Sequence, residues 1–596
     1  MTASGESKVK AVGVSEGIAI GEALILSRPR LRLPNYRLSD PEQITAETGR
    51  LDKAREQVRT SLIAARAGLI PELCSQAGII DAHILLLDDP LLAGEAGRLI
   101  REARVNAEQA VLRTIENITV LMTKVADEYI SARLSDVEML AHALIAALLG
   151  DKAARMPLIP DGSILVVRDI SPAELMEFAK YETAMAGLVM ERGGRTSHTA
   201  IVAQALELPT VAGARGVFSK INNGDTLIVD GRSGLVVIRP DRETLDDYRD
   251  RQSREWSFTA EIIRSSHLPA LTLDDRRIDI LGNMELEEEL PAILSHGGEG
   301  VGLYRTEFMY LNRKNSPTEE ELFEAYSRVV KVLAPRPLVI RTLDLGNDKM
   351  TVGQGGGRQG AHKQVLGLRG IRHCLSNQKL FKTQIRAILR ASALGDLKIM
   401  LPMVSSLDEL RAARAIIEEV EDSLRREGAP HQRGLPLGVM IEVPATIFIA
   451  RELASEAAFF SVGTNDLIQY ALAVDRTDPE VSEMYQPLHP GIIRMIKLIL
   501  DIGRETGTPV SVCGDMAADC LTAVVLVGLG AETLSLPPVA IPKIKRLLRM
   551  SSLAEMRAWT DEVLMAPTAG EAAVLINDRL IERFPEYCPE YRSPAA

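Results

Sequence analysis

One histidine stands where it can carry a phosphoryl group. In Gly193-Gly194-Arg195-Thr196-Ser197-His198-Thr199-Ala200, His198 follows a glycine turn and opens a stretch, 197–206, whose apolar spacing predicts a helix. A helix start offers unpaired backbone N–H groups and the positive end of the dipole to an anion. Thr196 or Ser197 can cap it, the glycines permit close approach of the backbone, and Arg195 can pair with phosphate oxygens. The plainer alternative is a polar surface histidine beside a turn, so the rest of the chain must supply a phosphate donor and an acceptor.

A second set of chemistry-bearing residues lies in the C-terminal half. Asn283, Arg305 with Glu307, Arg341 with Asp344, Glu442, Asn465 with Asp466, and Cys513 each stand at the end of an apolar, strand-like run. Glu442 and Asp466 are hard oxygen donors of the kind Mg²⁺ accepts. Arg305, Arg341 and Arg476 can neutralise charge on a phosphoryl group as it transfers. Cys513 is either a small buried hydrophobe or, beside cations, an acid for a carbanion or enolate. Each residue alone is an ordinary ion-pair or core residue; their shared placement describes a site for a polyanion and a divalent metal.

The runs that carry this set, 278–282, 300–304, 338–342, 399–403, 437–441, 459–463, 509–512 and 533–536, alternate with helical segments. They predict a (β/α)₈ TIM-type barrel with its reactive groups at the C-terminal strand ends. The N-terminal half has another texture. Glycine-punctuated strands over 9–26 give way to a block of long packed helices, 39–150, in which Leu51, Ala54, Val58 and Leu62 keep helical spacing. Strand runs resume at 164–167, 186–190, 226–229 and 235–238, so the helices read as an insertion in an α/β domain. The charged stretch 241–264 predicts a solvated connecting helix.

Composition excludes several classes. With 69 basic and 81 acidic side chains the net charge is −12, which disfavours nonspecific binding to nucleic acid or acidic membranes. Hydrophobic residues make up 46% and charged residues 25%, as in soluble globular proteins. No apolar run suits a membrane span, and the first residues lack a secretory signal, so a cytoplasmic protein without membrane insertion is expected. Cys74, Cys374, Cys513, Cys520 and Cys588 are too scattered for a disulfide framework or a zinc site.

GGRTSHTAIVAQALELPTVAG, GVGLYRTEFMY, IRTLDLGNDK, MIEVPAT, VGTNDLIQYALAVDRTD and VCGDMA occur in this order. The sequence resembles enzyme I of the phosphoenolpyruvate-dependent phosphotransferase system nearly end to end. The resemblance implies a swivelling phosphohistidine α/β domain (1–35 and 151–240), an inserted helical carrier-binding subdomain (36–150) and a helical linker (241–268). A phosphoenolpyruvate-binding barrel (269–575) and a tail (576–596) follow. It implies that Mg²⁺ sits at Glu442 and Asp466. Arg305, Arg341, Asn465, Asp466 and Arg476 would bind phosphoenolpyruvate, His198 would take the phosphoryl group, and Cys513 would protonate the enolate to pyruvate. Phospho-His198 would then pass its phosphate to a histidine-containing carrier, HPr or a relative, and the protein would be a homodimer. A phosphoenolpyruvate synthase or dikinase is the first alternative, but too few residues precede His198 for its nucleotide domain. A nitrogen-branch regulatory enzyme is the second, disfavoured by the lack of room for a sensory domain. The chain departs from the family pattern over 346–366, at Asp515 in place of glutamate, and over 132–138 in the expected carrier-docking sequence.

Overall fold

The computed structural model of the chain describes residues 5–26, 34–67, 80, 83–84, 86–89, 92, 94–122, 137, 140–141, 143–150, 160–168, 170, 175, 178, 185–194, 198–206, 208–310, 315–345, 366–476, 481 and 484–584. They fall into two compact units, Met1–Phe258 and Thr259–Ala596. The departures at 346–365 and 132–136, and Cys74 and Cys588, lie outside the described residues.

Short apolar runs broken by glycine build the sheet of the first unit. Strands β1 (Ser7–Lys10), β2 (Val12–Ser15), β3 (Ile18–Leu26), β4 (Ile164–Val167), β5 (Gly187–Met190), β6 (Thr210–Ala212), β7 (Thr226–Asp230) and β8 (Leu235–Ile238) pair in the order β1-β8-β7-β3-β4-β5-β6-β2. β3 to β6 run parallel and the other pairings are antiparallel. Ala11 alone separates β1 from β2, yet they stand at opposite ends of this order, so the sheet curls until its edges approach. Glycine permits the crossing: a Cβ on Gly13 would stand 2.2 Å from the Gly231 carbonyl oxygen. In β4, Leu165 and Val167 face one core while Ile164 and Val166 face another, the period-two alternation of a strand buried on both sides.

The first of those cores also takes in the helices Pro41–Ala67, Glu95–Glu102 and Ala107–Met122, through Leu51, Val58, Ile100 and Val111. Helices and sheet face are thus packed as one body. An ion network with buried acids and a half-exposed arginine pins the helices: Arg50 meets Glu47 at 2.8 Å and Glu108 at 2.6 Å, and Glu47 accepts the Ala107 N–H at 2.8 Å. Glu47 is 6% and Glu108 1% exposed, so without Arg50 two buried carboxylates lose their counter-ion. Arg50→Leu is expected to destabilise this unit by about 2–3 kcal/mol, read as a lower thermal midpoint, less than for a fully buried pair because the Arg50 side chain is 38% exposed. Replacing Glu108 by leucine as well should recover part of the loss.

The connecting helix forms over Arg242–Ser265. It is less solvated than its charge suggested. Tyr248 packs on Ile18, Ile228 and Val237, with Arg251 over its ring at 4.5 Å, whereas Trp256 is 69% exposed.

In the second unit the strands are β9 (Ala270–Leu271), β10 (Arg277–Met284), β11 (Val301–Arg305), β12 (Leu338–Arg341), β13 (Leu397–Leu401), β14 (Leu437–Ile441), β15 (Phe459–Gly463), β16 (Val510–Cys513) and β17 (Thr533–Leu536). β10 to β17 pair in parallel in chain order, and β10 pairs with both β17 and β11, which closes the barrel. β9 lies antiparallel on β10. One run is displaced: the stretch read as 399–403 is a strand over Leu397–Leu401, because Met403 adopts a left-handed φ of 57° that no strand accommodates. The helices Glu319–Leu333 and Leu407–Glu427 open on capping boxes, Thr318 with Glu321 and Ser406 with Glu409. Leu303, Val339, Met400, Met440, Phe459 and Cys513 pack together in a buried cluster. Among the described residues, no helix is long and apolar enough to cross a membrane.

Candidate active site

The ends of β11 and β12 bring two arginines side by side, since Arg305 and Arg341 are register partners. Arg341 lies 3.0 Å from Glu307 and 3.4 Å from Asp344, and is 8% exposed. Burial works against its charge, but Glu307, Asp344, Glu442 and Asp466 outweigh it and hold the guanidinium protonated. Arg305 pairs with Glu285 at 2.6 Å. In both arginines Nε is buried, and among the described residues neither finds an acceptor. The two guanidinium groups thus stand side by side on adjacent strand ends, where cations suit an anion's oxygens.

Facing them is a carboxylate cluster. Asp344, Glu442 and Asp466 each contribute an oxygen within 4.8 Å of the others. Glu442 is 1% exposed and accepts the Met403 N–H at 2.6 Å; a Cβ on Gly463 would stand 2.8 Å from its Oε2. Burial and the nearby Asp466 and Asp344 push the Glu442 carboxyl well above the usual range, with Arg341 pulling it back. A divalent cation would relieve that repulsion, and three hard oxygen donors suit Mg²⁺.

Arg369 holds the acids in place. It grips Asp344 with Nε at 3.1 Å and Nη2 at 2.8 Å, lies 3.4 Å from Asp466, and donates to the Tyr470 hydroxyl at 2.9 Å. Sequence reasoning missed Arg369 and Tyr470, and took Asp344 only as a neighbour of Arg341. A signal for Tyr470 existed: it stands four residues after Asp466 on the helix Thr464–Leu472, hence on the same face.

The expected residues of the last strands also converge. Asn465 donates to Asp515 at 3.1 Å and accepts its N–H at 2.9 Å, and Arg476 reaches the same carboxylate at 3.4 Å. Cys513 is 2% exposed; its thiol donates to the Val462 carbonyl at 3.4 Å and accepts from Ser461 at 3.6 Å. Burial pushes this thiol above its ordinary range, with Ser461 and Arg305 pulling back, so the proton stays on sulfur at neutral pH. Asn283 instead accepts from Ser535 at 2.6 Å across the β10–β17 seam.

In the first unit, β5 ends in a turn where Gly193 has a φ of 97°, and a helix over His198–Ala205 follows. His198 belongs to that helix as described. Thr199 donates to the Ile170 carbonyl at 2.6 Å and Gln204 to the Val14 carbonyl at 2.8 Å, which fixes the helix to the unit. Arg195, Thr196, Ser197 and the His198 imidazole lie outside the described residues.

A parallel barrel whose mouth sets arginines beside a carboxylate cluster can hold an anion together with a divalent cation, as enzymes acting on phosphorylated substrates do. Three family profiles match in order: PEP-utilising enzyme, N-terminal, over residues 10–133, its mobile domain over 159–234 and its PEP-binding domain over 259–553. The phosphoenolpyruvate-protein phosphotransferase of Haemophilus influenzae is 35% identical over 575 residues, covering 96% of this chain and 99% of that protein. That of Cupriavidus necator is 36% identical over 577 residues (95% and 98%), and that of Listeria innocua 36% over 571 residues (96% and 99%). The chain belongs to the phosphoenolpyruvate-protein phosphotransferase family of transferases.

Proposed function

We propose that the chain moves the phosphoryl group of phosphoenolpyruvate to His198 and then to a histidine of a small HPr-type carrier, releasing pyruvate. The observation that carries this reading is the pairing, at one barrel mouth, of two arginines on adjacent strand ends with a carboxylate trio. The arginines suit phosphate and carboxylate oxygens, and the acids suit a divalent cation.

Glu442 and Asp466, with Asp344 beside them, are the residues to hold Mg²⁺, which when bound would withdraw charge from the substrate oxygens. Arg305 and Arg341 orient the phosphate and stabilise the charge that develops as it leaves. Asn465 and Arg476, both tied to Asp515, complete the substrate's surroundings. A neutral imidazole nitrogen of His198 forms the new N–P bond while the bond from phosphorus to the enolate oxygen breaks. Cys513 gives its thiol proton to the enolate methylene carbon, whose double-bond electrons form the new C–H bond.

One histidine must serve two partners, so the linker 241–268 acts as a hinge and the helical insertion as the carrier's docking place. Homodimer assembly, a cytoplasmic location and service to sugar transport belong to this proposal on the strength of the family resemblance.

Protein stripped of metal by a chelator is expected to release no pyruvate from phosphoenolpyruvate, and added Mg²⁺ should restore a burst of one pyruvate per chain. In Glu442→Gln the Mg²⁺ concentration for half-maximal burst should rise by at least about 10-fold. A burst that survives the chelator would sink the metal assignment, and no burst with Mg²⁺ present would sink the function.

A further inference from the structure

The mouth of the barrel is fastened from beneath by one buried amide. We propose that Gln384 is a positioning residue that sets Arg305, Arg341 and Asp344 relative to one another, acting partly through Thr306; this rests on the reading that the mouth binds phosphoenolpyruvate.

Gln384 lies on the helix Gln378–Ser392 and is fully buried. Its Oε1 accepts the Leu343 N–H at 3.0 Å, and its Nε2 donates to the Thr306 hydroxyl at 3.0 Å and the Tyr326 hydroxyl at 3.3 Å. The flipped amide would set an NH₂ group against the Leu343 N–H, so its orientation is determined. Thr306, buried and adjacent to Arg305, donates in turn to the Arg341 carbonyl at 3.0 Å.

Beyond Arg341 the chain leaves the regular strand, and its N–H groups can be followed one by one. Thr342 reaches the Met400 carbonyl at 3.0 Å, Leu343 reaches Gln384, and Asp344 reaches Glu307 at 2.9 Å. The step from the phosphate-seeking arginine to the metal-seeking acid is therefore held at its midpoint by Gln384. Through Thr306 the same amide also grips the end of β11. An apolar side chain would fill this space without fixing either strand end. A fully satisfied polar group in the interior specifies a single arrangement.

The test compares phosphorylation of the full chain by labelled phosphoenolpyruvate with Mg²⁺ in wild type, Gln384→Met, Thr306→Val and Thr306→Ser. Gln384→Met and Thr306→Val keep the volume and remove the bonding groups. The labelling rate at saturating substrate should fall about 10- to 100-fold, with KM nearly unchanged and cooperative unfolding retained. Thr306→Ser keeps the hydroxyl and should restore most of the rate. Wild-type rates in folded Thr306→Val, a rise in KM alone, or a Thr306→Ser protein as slow as Thr306→Val would overturn the proposal. Should Gln384→Met fail to fold, the Thr306 pair decides. Wild-type protein that takes no label would overturn the reading of the mouth itself, a result distinct from slow variants beside an active wild type.

Discussion

His198→Ala is expected to reduce phosphorylation from phosphoenolpyruvate by at least about 10⁴-fold, because it removes the atom that forms the new bond. The rest of the helix His198–Ala205 would remain, with no nucleophile at this position. Alanine suits the first turn of a helix, and Thr199 and Gln204 still anchor the segment, so the fold should be kept. The barrel, a separate compact unit, keeps its substrate site. Two measurements check this together: transfer of labelled phosphate into protein should vanish, while calorimetric binding of phosphoenolpyruvate with Mg²⁺ stays close to wild type. Label that persisted in His198→Ala would place the acceptor elsewhere.

Arg341→Leu should cost about 10³- to 10⁵-fold in the transfer rate, the range for a lost arginine on a transferring phosphoryl group. The size follows from burial. Arg341 is the register partner of Arg305, and it is the counter-ion of Glu307 and Asp344. Its removal therefore withdraws charge from the phosphate and also adds repulsion among the acids. Arg341→Lys should fall between wild type and leucine, because lysine restores the charge without the planar fork. Single-turnover rates with melting curves for both variants check the order. Equal rates for lysine and arginine would mean that charge alone matters.

Much of the barrel is legible in sequence because parallel strands buried on both faces read as unbroken apolar runs. The site shows at their ends because the C-terminal mouth is where such a barrel keeps its charged side chains. The failures have physical causes. Lys398 interrupts the fourth run, and Met403 continues its apolar character while leaving the strand, so the reading slid by two residues toward Met403. Thr210–Ala212 is too short to announce itself, and Tyr248 hides in a helix whose charges advertise solvent. Arg369 follows no strand, so no register argument leads to it. Ser461 and Gln384 sit inside a strand and a helix, where a polar residue reads as surface until the fold buries it.

The central claim is that His198 carries the phosphate drawn from the barrel mouth. It is tested most directly by incubating the protein with phosphoenolpyruvate and Mg²⁺, digesting it at alkaline pH, and locating the phosphate by mass spectrometry. The account requires one acid-labile phosphate per chain on the peptide that contains His198, absent when metal is removed. A phosphate on any other residue, or pyruvate released with no phosphopeptide formed, would contradict it.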